Sequence, residues 1–229
     1  MKIENTEVYG FRRALRGMRH PMSSYDKSDT VFFEGQSNEA TLDYNKMSKE
    51  KNITVAERPL IGPEDLSLMK KLTKAGPEHA KFLRQIEIWT DITIPRYIWQ
   101  ELDTYKVGTV RMSCSTRPSE LKKKKTYTQE MFEDNIVSSN TLIELNYLAR
   151  SHQQKEVAIY QAKEYEGTDI LRLIKKLLPE GYLQMATYSM NYQTAINMFF
   201  QRKNHWLNEW KTICNWIQDL PYMKELITE

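Results

Sequence analysis

The stretch FLRQIEIWTDITIPRYIWQELDTYKVG, residues 82–108, decides the fold class. Ile86, Ile88, Thr90 and Ile92 alternate with Glu87, Trp89, Asp91 and Thr93, the period-2 pattern of a half-buried strand. Pro95 ends that pattern. Residues 96–107 restart with helical composition, and Gly108 punctuates. One strand running into one helix within a single stretch points to mixed α and β architecture.

Upstream, residues 3–8 alternate briefly. Phe11, Ala14, Leu15 and Met18 then fall at i, i+3, i+4 and i+7, an amphipathic helix stopped by Pro21. Residues 22–58 are polar and poorly periodic, with a possible strand at Thr30–Phe33. A structureless stretch that long points to a functional role or a contact between copies, above all in the loop at about 34–58. A helix follows in which Pro63, Glu64 and Asp65 open the first turn. Leu66, Met69 and Leu72 line its face, and Gly76 closes it.

Downstream, residues 128–165 read as two helices, with Met131, Phe132 and Ile136 on the first and Leu142, Ile143, Leu145 and Leu148 on the second. ILRLIKKLLP is a helix stopped at Pro179. Residues 184–218 read as the most regular helical segment, with a stripe of Trp206, Leu207, Trp210, Ile213, Cys214 and Ile217. Many helices and few strands make an α+β chain of one domain.

The chain has 229 residues, 40% of them hydrophobic, enough for a real core. Its formal charge of +3 demands neither nucleic acid nor acidic lipid, and the lysines Lys122–Lys125 read as a solvated face. No apolar run approaches the roughly 18 residues of a membrane span, and the N-terminus lacks the apolar region of a secretory signal. Two cysteines, Cys114 and Cys214, form neither a disulfide framework nor a zinc site, which points to a reducing cytoplasm.

The familiar signatures for dinucleotides, P-loops, serine nucleophiles and zinc proteases are absent. His205 and Glu209 lie one turn apart, a spacing that suits a shared metal or, more simply, an exposed ion pair. Cys114, in the cluster MSCST, is either a nucleophile lacking an assignable histidine or a small half-buried residue. Asn191, Gln193, Asn197, Arg202, Asn204 and His205 interrupt an otherwise apolar segment. At about 100° per residue, Asn191 and Arg202 share nearly one azimuth. Such residues suit an anionic, planar, hydrogen-bonding ligand such as a nucleotide. Capping and helix-surface polarity is the other reading of the same residues.

IPRYIWQELDTYKVGTVRMSCSTR, residues 94–117, resembles the signature region of the flavin-dependent thymidylate synthases. It is most similar to a divergent branch of phages and gut bacteria marked by DTYKVGT and SCST. Laid without gaps on the main family's signature, Arg-His-Arg falls on Thr104, Tyr105 and Lys106, and the following Ser on Cys114. The family's Asn-Glu pair falls on Arg111 and Met112, and a later Arg on Thr116, with Arg117 one position beyond. MNYQTAINMFFQRKNHWLNEW, residues 190–210, resembles the family's C-terminal site helix. There Asn191 and Asn197 fall on flavin-contacting Asn positions, Gln193 replaces an Arg, and Arg202 falls on the Arg that holds the uracil. RGMRHPMSSYDKSD and AGPEHAKFLRQI are softer matches, to an N-terminal Arg and Ser segment and to a Glu-His pair before the central strand.

The resemblance implies one domain over 1–229, mostly helical with a small central antiparallel sheet. It implies a homotetramer with shared sites in the cytoplasm of a bacterial or phage-infected cell. FAD, NADPH and methylenetetrahydrofolate would convert dUMP to dTMP, with no metal, membrane or nucleic acid. Arg202 would be catalytic, and Ser113, Cys114, Ser115, Arg117 and Arg202 would bind dUMP. Glu78, His79, Tyr105, Lys106, Arg111, Asn191, Gln193 and Asn197 would line the cofactor site. The altered Arg-His-Arg positions leave two alternatives: a flavin- and folate-dependent hydroxymethylase of dCMP or dUMP, and a non-catalytic nucleotide-binding homologue.

Overall fold

The computed structural model describes residues 1–33, 50–116, 126–154 and 170–228. Arg117, the Lys122–Lys125 run and most of the loop at about 34–58 lie outside them. The fold is α+β. Its strands are β1 (Lys2–Tyr9), β2 (Val31–Phe32), β3 (Ile53–Val55), β4 (Pro59–Leu60), β5 (Glu87–Pro95), β6 (Thr109–Ser113) and β7 (Leu183–Asn191). Its α-helices are α1 (Phe11–Arg19), α2 (Pro63–Lys74), α3 (Arg96–Leu102), α4 (Ser139–Gln154), α5 (Ile170–Leu177), α6 (Tyr192–Arg202), α7 (Asn208–Asp219) and α8 (Met223–Ile227).

Five strands form a sheet in the order β3-β1-β5-β7-β6, and β2 pairs antiparallel with β4. The sheet is mixed rather than wholly antiparallel, because β1 and β3 run parallel with Thr6 opposite Ile53. A parallel pair needs a long crossover, and the chain between these two strands carries α1.

The chain divides into two compact units. One comprises Met1, Thr93–Asp103 and Ser113–Ala186; the other Lys2–Ile92, Thr104–Met112 and Thr187–Glu229. In the first, Tyr127, Phe132, Leu145, Ala149, Ile174 and Leu178 form a buried cluster around α4 and α5. Arg96 donates to Leu178 O at 2.9 Å and pairs with Glu180 at 3.3 Å, tying the start of α3 to the end of α5.

In the second unit, α1 buries Phe11, Ala14, Leu15 and Met18, the positions its periodicity names. Ile88, Thr90 and Ile92 of β5 are buried, as the alternation requires. The Thr6 and Thr90 hydroxyls share a hydrogen bond of 3.0 Å inside the sheet, and Trp216 Nε1 donates to Thr6 Oγ1 at 3.1 Å. Asp65 lies in the first turn of α2, as expected, and is also fully buried. It accepts Arg19 Nε at 2.7 Å, Ser28 Oγ at 2.7 Å and Thr30 Oγ1 at 2.6 Å. A buried carboxylate satisfied by a guanidinium and two hydroxyls ties α1, residues 28–30 and α2 together.

Four local expectations need correction. Residues 183–191 are strand, not helix, because Ala186, Tyr188 and Met190 are buried at period 2. Residues 53–55 are strand rather than loop, since Ile53 and Val55 are buried on either side of exposed Thr54. Residues 129–135 are short 3-10 turns, because Asp134 and Asn135 take positive φ of 50° and 55°, which a continuous helix cannot hold. Trp206 is 79% exposed, because α7 starts only at Asn208 with Leu207 as its N-cap; the rest of that stripe, from Trp210 to Ile217, is buried.

Candidate functional site

In the second unit the two segments that carry the sequence resemblance meet. Residues 104–108 lie along α6 and touch it at three points. The Thr194 hydroxyl lies 3.0 Å from Val107 O and 3.1 Å from Asn191 Oδ1. Gly108, at φ +70°, approaches Asn191 so closely that a Cβ there would lie 2.3 Å from Asn191 Nδ2. Arg202, in the last turn of α6, donates from Nε to Tyr105 Oη at 3.0 Å. On a helix advancing about 100° per residue, positions 191, 194 and 202 face one side, so one loop spans them all. The loop is held from within as well, as Thr109 Oγ1 donates to Tyr105 O and Lys106 N–H donates to Thr104 O at 3.1 Å.

Asn191 has a local task. It is the last residue of β7 and the N-cap of α6, with Oδ1 accepting the Thr194 N–H at 3.0 Å. The capping reading of this residue therefore holds at its oxygen, leaving its amide nitrogen beside Gly108.

Arg202 is half-buried, its guanidinium carbon 4.5 Å from the centre of the Trp210 ring and 5.9 Å from that of Tyr105. The buried indole offers its negative face to the cation. The neighbouring Cys214 thiol is pushed up to about 11 by burial, against the pull of Arg202, so it stays protonated near neutral pH. His205 Nδ1 accepts the Leu207 N–H at 3.3 Å. Its ring stacks on Trp206 and meets Trp210 edge-on. Among the described residues no three His, Cys, Asp or Glu side chains gather as a metal site.

The other candidate residues separate. Gln193 and Asn197 occupy the side of α6 turned away from Arg202, where Gln193 Nε2 donates to Asn197 Oδ1 at 3.2 Å. Gln193 Oε1 is buried, and no donor among the described residues reaches it. Glu78 and His79 sit on the exposed turn after α2, with Glu78 paired to Lys81 at 3.5 Å. Lys106 is exposed and Arg111 half-buried. In the first unit, Ser113, Cys114 and Ser115 are exposed at the end of β6. There Cys114 N–H donates to Met185 O at 2.8 Å, and Gln184 Nε2 donates to Cys114 O at 2.7 Å. The backbone is thereby fixed on both sides of an exposed thiol.

Sequence reasoning missed Thr194, Trp210 and the packing role of Gly108. Thr194 stands three residues after an Asn N-cap, where a hydroxyl reaches back to the cap. Trp210 was counted only as part of an apolar stripe, although it lies eight residues beyond Arg202, within reach of it across the turn between α6 and α7.

No sequence-family profile matches the chain, and no curated protein does. Among solved structures, two crystal structures of thymidylate synthase X (ThyX) from Helicobacter pylori, each with FAD and dUMP, superpose with a TM-score of 0.64. Each is 16% identical to this chain, and the match covers 100% of this chain and 98% of that one. No helix among the described residues is long and apolar enough to cross a membrane. Over its full length, the chain thus has the α+β fold of the thymidylate synthase X structures.

Proposed function

We propose that this chain is a flavin-dependent thymidylate synthase-like enzyme that transfers a one-carbon unit from methylenetetrahydrofolate to dUMP, giving dTMP, with NADPH as reductant. The observation that carries the reading is the clasp of residues 104–108 on α6. The two segments that resemble the family are far apart in sequence, yet they meet at Arg202. The full-length likeness to structures holding FAD and dUMP supports it further.

The donor set fits a flavin. Gln193 Oε1 is a buried acceptor without a donor, and the N–H groups of a flavin ring or an adenine supply what it lacks. Gln193 and Asn197 would hold the FAD, with Glu78, His79, Tyr105, Lys106, Arg111 and Asn191 as the further cofactor-side candidates. When bound, FAD supplies the hydride chemistry that no side chain of this protein can perform. The protein's own part is binding and polarisation. Arg202 carries a permanent charge, and its planar fork of N–H donors suits the carbonyl oxygens of a pyrimidine. Negative charge developing on that edge would strengthen the contact in the transition state. Ser113, Cys114, Ser115 and Arg117 would take the phosphate through hydroxyl, thiol, backbone and guanidinium donors. No cysteine nucleophile is required by this reading.

Gln193 and Asn197 face away from Arg202, so one ligand spanning both faces would need a second copy of the chain. Self-association into a homotetramer is therefore part of the proposal. Tyr9, Trp89, Val110 and Met112, all exposed on strands of the second unit, give that unit apolar surface for such contacts. Light scattering that returns a 27.2 kDa monomer refutes the shared site.

The test of the reading is reconstitution. Protein incubated with FAD and desalted should retain absorbance near about 450 nm, and added dUMP should perturb that band. A colourless protein that binds dUMP supports the non-catalytic alternative, and a perturbation by dCMP alone favours the hydroxymethylase of cytosine nucleotides.

A further inference from the structure

The Tyr105 hydroxyl is the acceptor of the Arg202 Nε–H, at 3.0 Å. The Tyr105 ring meets Trp210 at 6.2 Å between centroids and a tilt of 58°, while the guanidinium lies over the same indole. Trp210 is fully buried and Tyr105 is anchored through its backbone by Thr109, so neither partner is a loose surface contact. An arginine side chain has four rotatable bonds, and two constraints fix its plane. Trp210 sets the height of the guanidinium, and Tyr105 sets its rotation by engaging Nε.

We propose that Tyr105 is a positioning residue. Besides the cofactor-side place its alignment position implies, it holds the Arg202 fork in the orientation that receives the pyrimidine edge. The inference rests on the functional reading above and deepens it. A phenol is suited to the task. It accepts from a cation without competing for charge, whereas a carboxylate here would neutralise the guanidinium and weaken its pull on the substrate.

The variant that isolates this role is Tyr105→Phe. It keeps the ring against Trp210 and removes only the acceptor. Full-length protein reconstituted with FAD is titrated with dUMP in four forms: wild type, Tyr105→Phe, Arg202→Lys and the double variant. Tyr105→Phe should weaken dUMP binding roughly five- to tenfold, the scale of one ordinary net hydrogen bond. In the Arg202→Lys background it should cost nothing further, because Lys has no Nε–H to orient. A residue with a merely structural role would instead cost the same in both backgrounds.

The contact itself is read without nucleotide. With 15N-labelled arginine, wild type should show an exchange-protected Nε–H signal that is absent from Arg202→Lys, and Tyr105→Phe should lose it. Persistence of that signal in Tyr105→Phe, or equal losses of affinity in both backgrounds, overturns the positioning role. A wild type that binds neither dUMP nor dCMP, even with the signal protected, overturns the functional reading and this role with it. A protein that binds dUMP and is indifferent to Tyr105→Phe overturns this role alone.

Discussion

Replacing Gly108 with alanine puts a Cβ 2.3 Å from Asn191 Nδ2, 3.4 Å from Asn191 Cγ and 3.8 Å from Thr194 Oγ1. The obstacle is not a flexible tip. Asn191 is buried and caps α6, so its amide cannot swing aside without releasing the Thr194 N–H. Gly108 also sits at φ +70°, which costs an L-residue about 1–2 kcal/mol. Losing the cap adds about 1 kcal/mol. The stiffer unfolded chain returns about 0.4–1 kcal/mol. The net expectation is about 2 kcal/mol of destabilisation. Two other glycines serve as controls. Gly76 has φ +104° with nothing within 4 Å of its Cβ position, so Gly76→Ala isolates the backbone strain. Gly181 has open space and no positive φ, so Gly181→Ala should be neutral or slightly stabilising. The assay is urea unfolding, read as a shift in midpoint at constant slope. Asn191→Ser, which keeps a capping oxygen on a shorter side chain, should recover part of the Gly108→Ala loss in the double variant. If Gly108→Ala and Gly76→Ala lose the same stability to within about 0.5 kcal/mol, the packing of Gly108 on Asn191 contributes nothing and the clasp argument fails.

Three further outcomes follow from the same geometry. Arg202→Lys should leave folding and flavin content intact but cut turnover by roughly 10² or more, the loss typical of one transition-state donor; an active protein indifferent to it contradicts the assigned role. A thiol reagent at mildly alkaline pH should modify exposed Cys114 at once and Cys214 only after unfolding, since burial pushes the Cys214 thiol up to about 11; Cys114→Ser should keep or raise activity, and its abolition of turnover would make Cys114 a nucleophile after all. Stability should fall as pH rises from about 8.5 toward 11, because the unfolded Cys214 thiol ionises while the folded one stays protonated, so the folded state holds more protons. Burial, with Tyr182 nearby, raises Tyr127 in the same direction, so Cys214→Ala combined with Tyr127→Phe should flatten the alkaline decline measured by thermal melts.

The elements legible in the sequence are those with one unambiguous period. Residues 11–19, 63–74 and 87–95 carry clean helical or strand alternation, and each forms what its pattern names. The failures have physical causes. Residues 183–191 mix Met, Tyr, Ala and polar residues in a way that suits a helix, and only the sheet around them shows that alternate residues are buried. Backbone at positive φ breaks the expected helix at residues 134 and 135, a conformation Asp and Asn tolerate but do not advertise. At the site, the shared azimuth of Asn191 and Arg202 was readable from spacing, and both meet the 104–108 loop. The sequence reading grouped Gln193 and Asn197 with them, although the same 100° step puts these two on the opposite side of α6. No local pattern could pair Tyr105 with Arg202, because their contact spans most of a hundred residues and depends on Trp210 to hold the guanidinium in place.

Product analysis tests the proposed reaction itself. Protein reconstituted with FAD is incubated with dUMP, methylenetetrahydrofolate and NADPH, and the nucleotide is read by mass spectrometry, with dCMP in a parallel reaction. dUMP should become dTMP, heavier by one CH2 group, and dCMP should stay unchanged. A hydroxymethylated nucleotide from either substrate, or unchanged dUMP from protein that retains its flavin, would contradict that reaction.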